Sequence, residues 1–282
     1  MRQKLIITRN TMKNTLFALA LASMLCLATT SCRKSTPVTF TGEQDHLIMS
    51  VLWFQRSAEM RALFIQGFNI ASERLAVAAE VPGNGRPKAV VTDLDETILD
   101  NSPFEAWQIH TGGSFSDENW KMWTDMAAAK PLPGALEFTR YAESLGIEVF
   151  YVSNRSHDDA FGPTLENMRK FGFPYADSAH LLLKTNTSSK VERRVGILST
   201  HDIVLLIGDN LADVDPAFEK RDDYFGMHGV DSLRQEFGRK YIVMPNPMYG
   251  SWVTPALTRG DGLSRRDQHV RSITGINTGQ ER

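Results

Sequence analysis

The sequence predicts an α/β fold, a parallel sheet flanked by helices with a small helical cap. Three observations predict it. Between residues 88 and 245 short apolar runs alternate with amphipathic stretches, the pattern of repeated strand–helix–strand units. Runs such as "DIVLLIGD" are apolar almost throughout, as strands covered on both faces are. One insertion, at about 101–133, is too long for an ordinary strand–helix loop.

The elements follow in order. From His46 to Glu80, Leu47, Val51, Phe54 and Ala58 step at three and four, continued by Met60, Leu63, Phe64 and Phe68. This spacing reads as one long helix or two. "VPGNGRP" ends it with two prolines and two glycines. "KAVVTD" is a strand, and the insertion follows with Trp107, Trp120 and Trp123. "PGALEFTRYAESLG" reads as a helix opened by Pro133 and closed by Gly146, then "IEVFYVS" as a strand and "GPTLENMRKFG" as a helix. "HLLL", "DIVLLIGD" and "YIVMP" are the remaining strands, with helices at "SKVERRVGILST" and "VDSLRQEFG". "KVERR" reads as a solvated helix face, and the tail from Gly260 as a loose or wrapping terminus.

The first 31 residues have a leader's layout. Arg2, Lys4, Arg9 and Lys13 precede an apolar stretch from Leu16 to Ala28, small residues follow, and Cys32 comes next. Met12 is an alternative start, because the layout is complete from there. Serine and threonine before Cys32 resemble a bacterial lipoprotein cleavage box, so Cys32 is the expected lipidation site and "RKSTPVTFTGEQ" a polar tether. The expected organisation is a signal peptide at 1–31, a tether at 32–44, a domain at 45–260 with a helical segment 45–82, and a tail at 261–282. The chain is then exported and anchored to the outer membrane, with periplasmic or secreted forms as the alternative. Cys26 and Cys32 are the only cysteines, so the exported part is expected to be held by its core rather than by disulfides. A formal charge of −2 gives no global attraction to a nucleic-acid polymer.

Ligands of open parallel sheets bind beyond the carboxyl ends of the strands. The residues that the strands deliver there are Asp93 and Asp95 in "TDLDET", Ser153 in "SNR", and Asp209 and Asp213 in "GDNLAD". Lys190 stands before the helix that leads to the last of these strands, and Lys184 is a second candidate for its place. Carboxylates can attack phosphorus or move protons, and clustered hard oxygens can hold Mg²⁺. A hydroxyl and an ammonium can hold a phosphoryl group. Asn154 and Arg155 are read as shaping the loop. His157, His180 and His201 show no ligand spacing. Trp120 and Trp123, three apart on a helix, suit either the core or a ligand face.

Together "DLDET", "SNR", the lysine and "GDNLAD" resemble the four motifs of the haloacid-dehalogenase-like phosphatases, in the DDDD group. "AVVTDLDETILDNSPFEAWQ", "GGSFSDENWKMW" and "MPNPMYGSW" are similar to segments of the bacterial class C acid phosphatases, the lipoprotein e type of 5'-nucleotidase. The resemblance covers roughly residues 45–255. It implies a Rossmann-like sheet with a small cap and a Mg²⁺-dependent phosphomonoesterase working through an aspartyl-phosphate. Asp93 would be the nucleophile and Asp95 the general acid/base. Asp93, the Asp95 carbonyl and Asp209 would hold Mg²⁺, with Asp213 acting through the water shell. Ser153 and Lys190 would hold phosphate, and Trp120 and Tyr249 would stack the leaving group. The implied partners are small phosphomonoesters such as nucleoside monophosphates or nicotinamide mononucleotide, and a membrane through the anchor, with a homodimer left open. The competing readings are a phosphotransferase on the same scaffold and a non-enzymatic surface binding lipoprotein.

Overall fold

The computed structural model describes residues 42, 44–83, 85–221, 224–257, 262–263 and 265–273. The leader, Cys32, most of the tether and most of the tail lie outside the described residues.

The amino-terminal apolar segment forms two helices, α1 (Ile48–Arg56) and α2 (Ala58–Glu80). Ser57 divides them: its extended backbone leaves the helix, and its Oγ accepts the Met60 N–H at 3.0 Å to start the next one. Along α2, Met60, Phe64, Phe68, Ala71 and Leu75 form one buried stripe at helical spacing.

Five strands make one parallel sheet: β1 (Lys88–Thr92), β4 (Glu148–Ser156), β5 (Leu181–Lys184), β6 (Asp202–Gly208) and β7 (Tyr241–Val243). Their order is β5-β4-β1-β6-β7, with Val90 opposite both Val149 and Leu205. β1 is central, and the chain moves outward on one side through β4 and β5 before returning to β6 on the other. The crevice at that reversal is where ligands of such sheets bind.

The strand pleat sorts the core into two layers. Val90, Val149, Tyr151, Leu205 and Ile207 pack with Phe64, Phe68 and Leu75 of α2, Phe138 of α5 (Ala135–Ser144) and Met168 of α6 (His157–Phe171). Ala89, Val91, Phe150, Val152 and Leu206 face the other way, onto Ile197 of α7 (Val191–Leu198) and Val214 of α8 (Leu211–Val214). α6 begins at Ser156, whose Oγ accepts the Asp159 N–H, several residues before the expected start at Gly162. It ends at Gly172, whose φ of 75° suits a residue without a Cβ.

The insertion forms α3 (Ser102–Thr111) and α4 (Asp117–Asp125). A ribbon that the sequence did not announce, β2 (Leu99–Asp100) against β3 (Lys130–Pro131), closes its base. One expectation needs correction here. The helix expected at 230–238 is α9 (Met227–Ser232), which starts earlier and gives way to turns around Glu236. There the Lys240 and Tyr241 amides both donate to the Glu236 carbonyl and lead the chain into β7. The tail, expected to be loose or wrapping, contains α10 (Arg265–Ser272), with His269 facing His46 at a ring-centroid distance of 6.0 Å.

Candidate active site

The chain leaves β1 in a tight loop. The Asp93 amide donates to the Ile207 carbonyl at 2.9 Å, so Asp93 still belongs to the sheet. The amides of Ile98 and Leu99 both fold back onto the Leu94 carbonyl, which draws the loop closed. Glu96, within it, has φ of 55°, a conformation uncommon outside glycine. It is held there because its carboxylate accepts the Asn101 amide at 2.7 Å and the Tyr249 hydroxyl. Thr97 joins the two strand ends, donating to Asp93 Oδ2 at 3.3 Å and accepting the Asp209 amide at 3.0 Å.

β6 ends at Gly208 and delivers Asp209 beside Asp93. Asp213 follows in the capping box of α8, where its Oδ2 accepts the Asn210 amide at 3.0 Å. A Cβ on Gly208 would stand 2.8 Å from Asp213 Cγ and nearer still to Cβ and Oδ2. Glycine is what lets that carboxylate lie over the strand end. One oxygen from each of Asp93, Asp209 and Asp213 lies within 4.8 Å of the others. Lys190, at the amino end of α7, donates to Asp93 Oδ1 and lies 2.7 Å from Asp213 Oδ1. Lys190 and Asp93 are both buried.

These neighbours shift the ionisations. Burial pushes the Asp93 carboxyl up, and the net value is about 7: Lys190 opposes the rise, while Asp213 and Asp95 add to it. Asp209 is raised well above the usual carboxylate range by burial and by Asp213 and Asp93. Glu96 is raised by burial and by Asp95 and Asp209. Burial would lower Lys190, but Asp213 and Asp93 outweigh it and hold the ammonium charged. Hard oxygens gathered around one point, at raised proton affinity, are a donor set suited to a divalent cation.

The Asp95 carboxylate stands outside this group and has other partners. Its Oδ1 accepts Arg155 Nη2 at 2.7 Å, Arg155 Nε at 2.9 Å and Asn101 Nδ2 at 2.8 Å. Its Oδ2 accepts Ser153 Oγ at 3.2 Å. Arg155 is buried and lies 5.7 Å from the Trp120 ring centroid. A cavity of about 1280 Å³ opens over Asp93, Asp95, Lys190, Asp209 and Asp213, with Trp120 and Tyr249 in its wall.

The sequence model of the acid phosphatases of HAD superfamily subfamily IIIB matches residues 13–252. The chain belongs to that family. Of solved structures, it is similar to the class C acid phosphatase of Bacillus anthracis, with 34% identity, 83% of this chain and 99% of that one covered, and a TM-score of 0.77. A structure of the Bacillus anthracis enzyme with tungstate bound matches at 33% identity, 83% and 99% coverage and a TM-score of 0.76. Among curated proteins, Acid phosphatase 1 of Solanum lycopersicum is 27% identical over 166 residues, 56% of this chain. The match spans 57% of the tomato protein's length.

On this HAD scaffold the structure brings together Asp93, Lys190, Asp209 and Asp213, and sets Asp95 and Ser153 against each other beside them. Trp120 lines the cavity, whereas Trp123 Nε1 donates to Asn101 Oδ1 at 2.8 Å and is part of the frame. Tyr249 also lines the cavity, but its hydroxyl is tied to Glu96. Lys184, His157, His180 and His201 do not line it.

The solvated face expected of "KVERR" is a correction. Arg193 donates to the Ser153 carbonyl at 2.6 Å, Asn154 Oδ1 at 2.7 Å and the Ser189 carbonyl at 3.0 Å. Arg194 is buried and donates to the Ala212 and Asp213 carbonyls. Arg193 ties the loop of Ser153 to that of Lys190, and Arg194 fastens the loop of Asp213. Sequence reasoning also missed the grip of Arg155 on Asp95 and the buried Glu96. Arg155 directly after the expected phosphate serine, and Glu96 between two site residues, were the available signals.

Gly208→Ala is expected to destabilise the protein by about 1–3 kcal/mol, the usual cost of forcing atoms into filled space. Gly196→Ala, in α7 with nothing within 4 Å of its added methyl, is expected to stabilise by about 0.5–1 kcal/mol. Urea unfolding of the two variants checks the contrast, and equal effects would contradict the packing of Asp213 against Gly208.

Proposed function

We propose that the chain is a Mg²⁺-dependent phosphomonoesterase that works through an aspartyl-phosphate and acts on nucleoside monophosphates outside the cytoplasm. The observation that carries this reading is Asp93 itself, with one carboxylate oxygen on Lys190 and the acidic cluster beside it, at the floor of a large cavity.

The mechanism proposed follows from the positions of these groups. An Asp93 oxygen attacks the phosphorus of the ester, an O–P bond forms, and the bond from phosphorus to the leaving oxygen breaks. Asp95 in its protonated state gives its proton to that oxygen, so the product leaves as an alcohol. In the second step Asp95 takes a proton from water, the water oxygen attacks phosphorus, and Asp93 is released as carboxylate while inorganic phosphate departs. Arg155 and Asn101 fix Asp95 in place for both transfers. Lys190 and Ser153 donate to the phosphate oxygens. The conformation with Ser153 on Asp95 shows that the hydroxyl and the proton carrier are within reach of each other.

The donor set fits a magnesium ion, because it consists of hard oxygens within 4.8 Å of one another. Asp93, Asp209 and the Asp95 carbonyl would hold it, and Asp213 would act through water. That last assignment suits Asp213, whose two oxygens are already engaged by Lys190 and the Asn210 amide. When bound, the ion offsets the charge of the acids and of the substrate phosphate. Tungstate is a tetrahedral oxyanion like phosphate, and its binding by the Bacillus anthracis relative supports an oxyanion site here. A cavity of about 1280 Å³ has room for a nucleoside beyond the phosphate, with Trp120 and Tyr249 as the aromatic surfaces it would meet.

The domain is read as residues 45–260, behind a leader and a tether joined to lipid at Cys32 and anchored to the outer membrane. No helix among the described residues is long and apolar enough to cross a membrane.

Hydrolysis of p-nitrophenyl phosphate is expected to stop with a chelator and return with Mg²⁺. Asp93→Asn is expected to lose at least about a thousandfold in kcat while its circular dichroism is unchanged. Turnover that survives both treatments would contradict the mechanism. Radiolabelled palmitate fed to expressing cells is expected to mark the wild-type protein and not Cys32→Ser; an unmarked wild type would mean export without an anchor.

A further inference from the structure

Glu105 and Gln108 take no part in the steps above, yet both line the cavity and both are buried. They lie three apart on α3, and Gln108 Nε2 donates to Glu105 Oε2 at 2.7 Å. Among the described residues this is the only side-chain hydrogen bond that either makes. It leaves Glu105 Oε1 and Gln108 Oε1 without a hydrogen bond, on two residues that line the cavity. Burial lifts the Glu105 carboxyl to about 7, opposed only by the bond from Gln108, and no cation offsets it. Burying such a group is costly. An apolar side chain would fill the same place on α3 at less cost, so the fold gives no reason for the pair.

Its position gives one. α3 starts directly after Asn101, whose Nδ2 donates to Asp95. Glu105 is about one helical turn, roughly 6 Å, further along the axis. That is on the order of the distance from an ester oxygen to the hydroxyls of an attached pentose. The Trp120 ring stands on the same wall, edge-on to Phe104, the neighbour of Glu105, at 5.2 Å between centroids.

We propose that Glu105 and Gln108 form a specificity site that accepts hydrogen bonds from the leaving group of the ester, foremost from the vicinal hydroxyls of a ribose. The inference rests on the phosphatase reading and deepens it by assigning the part of the cavity beyond the phosphate. Two acceptors side by side match two adjacent hydroxyl donors. A site built this way rejects an analogue that lacks the donors, because its buried acceptors are then left unpaired.

The test measures kcat/KM for adenosine 5'-monophosphate, its 2',3'-dideoxy analogue and inosine 5'-monophosphate. The enzymes compared are wild type, Glu105→Leu and Gln108→Met. Wild type is expected to prefer the ribonucleotide over the dideoxy compound by about tenfold, two hydrogen bonds' worth. In both variants that preference is expected to shrink to about twofold or less, chiefly through KM. If the preference over inosine monophosphate shrinks instead, the acceptors read the base amino group and the ribose assignment is overturned. Gln108→Met keeps side-chain length and helix preference, so it gives the answer even if Glu105→Leu does not fold. Equal losses on all three substrates would mark a structural role and overturn the inference. A wild type that cleaves all three esters without discrimination overturns the inference alone. One that cleaves none overturns the phosphatase reading with it.

Discussion

Three carboxylates, those of Asp93, Asp209 and Asp213, approach within 4.8 Å at the reversal point of the sheet, and one buried ammonium stands against two of them. Like charges at that separation oppose folding unless something compensates. Lys190 compensates in part. Asp93 and Asp209 still keep raised proton affinities, chiefly because they are buried, with the neighbouring carboxylates adding to the rise. Hard oxygens gathered at one point in this way are a donor set suited to a divalent cation.

The surrounding structure serves that arrangement. Thr97 fixes the distance between the ends of β1 and β6 by bonding a group on each. Gly208 leaves the space that Asp213 fills. Arg194 holds the backbone of Asp213, Arg193 ties the loop of Ser153 to that of Lys190, and Arg155 sets the orientation of Asp95. None of these residues is exposed, so the site is built as part of the core rather than on a mobile rim. The leaving-group side differs, with α3 and α4 supplying aromatic and polar surface from outside the sheet.

Much of the fold was legible because its signals are local. Apolar runs at 88–92, 148–153 and 202–208 fit strands buried on both faces, and the polar residues at their ends marked the ligand side. The division at Ser57 was legible only as one helix or two, since a serine cap and an ordinary helical serine read alike. The ribbon of Leu99–Asp100 and Lys130–Pro131 left no trace, because two-residue strands have no periodicity. In the candidate site, Asp93, Lys190, Asp209 and Asp213 were anticipated as a group. Arg155, Arg193 and Arg194 were not, because an arginine that fastens a loop carbonyl carries the same sequence signal as one in water. Their roles depend on what the fold brings opposite them.

The central claim is that the Asp93–Asp209–Asp213 cluster binds a divalent cation. The most direct measurement is the thermal unfolding midpoint of the full chain against Mg²⁺ concentration, for wild type and Asp209→Asn. Binding to the folded state alone stabilises by about 2.7 kcal/mol at a hundredfold excess over Kd, a rise of roughly 5–10 °C for a protein of this size. The expected result is such a rise in wild type that saturates with Mg²⁺, and a rise that is much smaller in Asp209→Asn. A wild-type midpoint unmoved by Mg²⁺, or the same rise in both proteins, would contradict the claim.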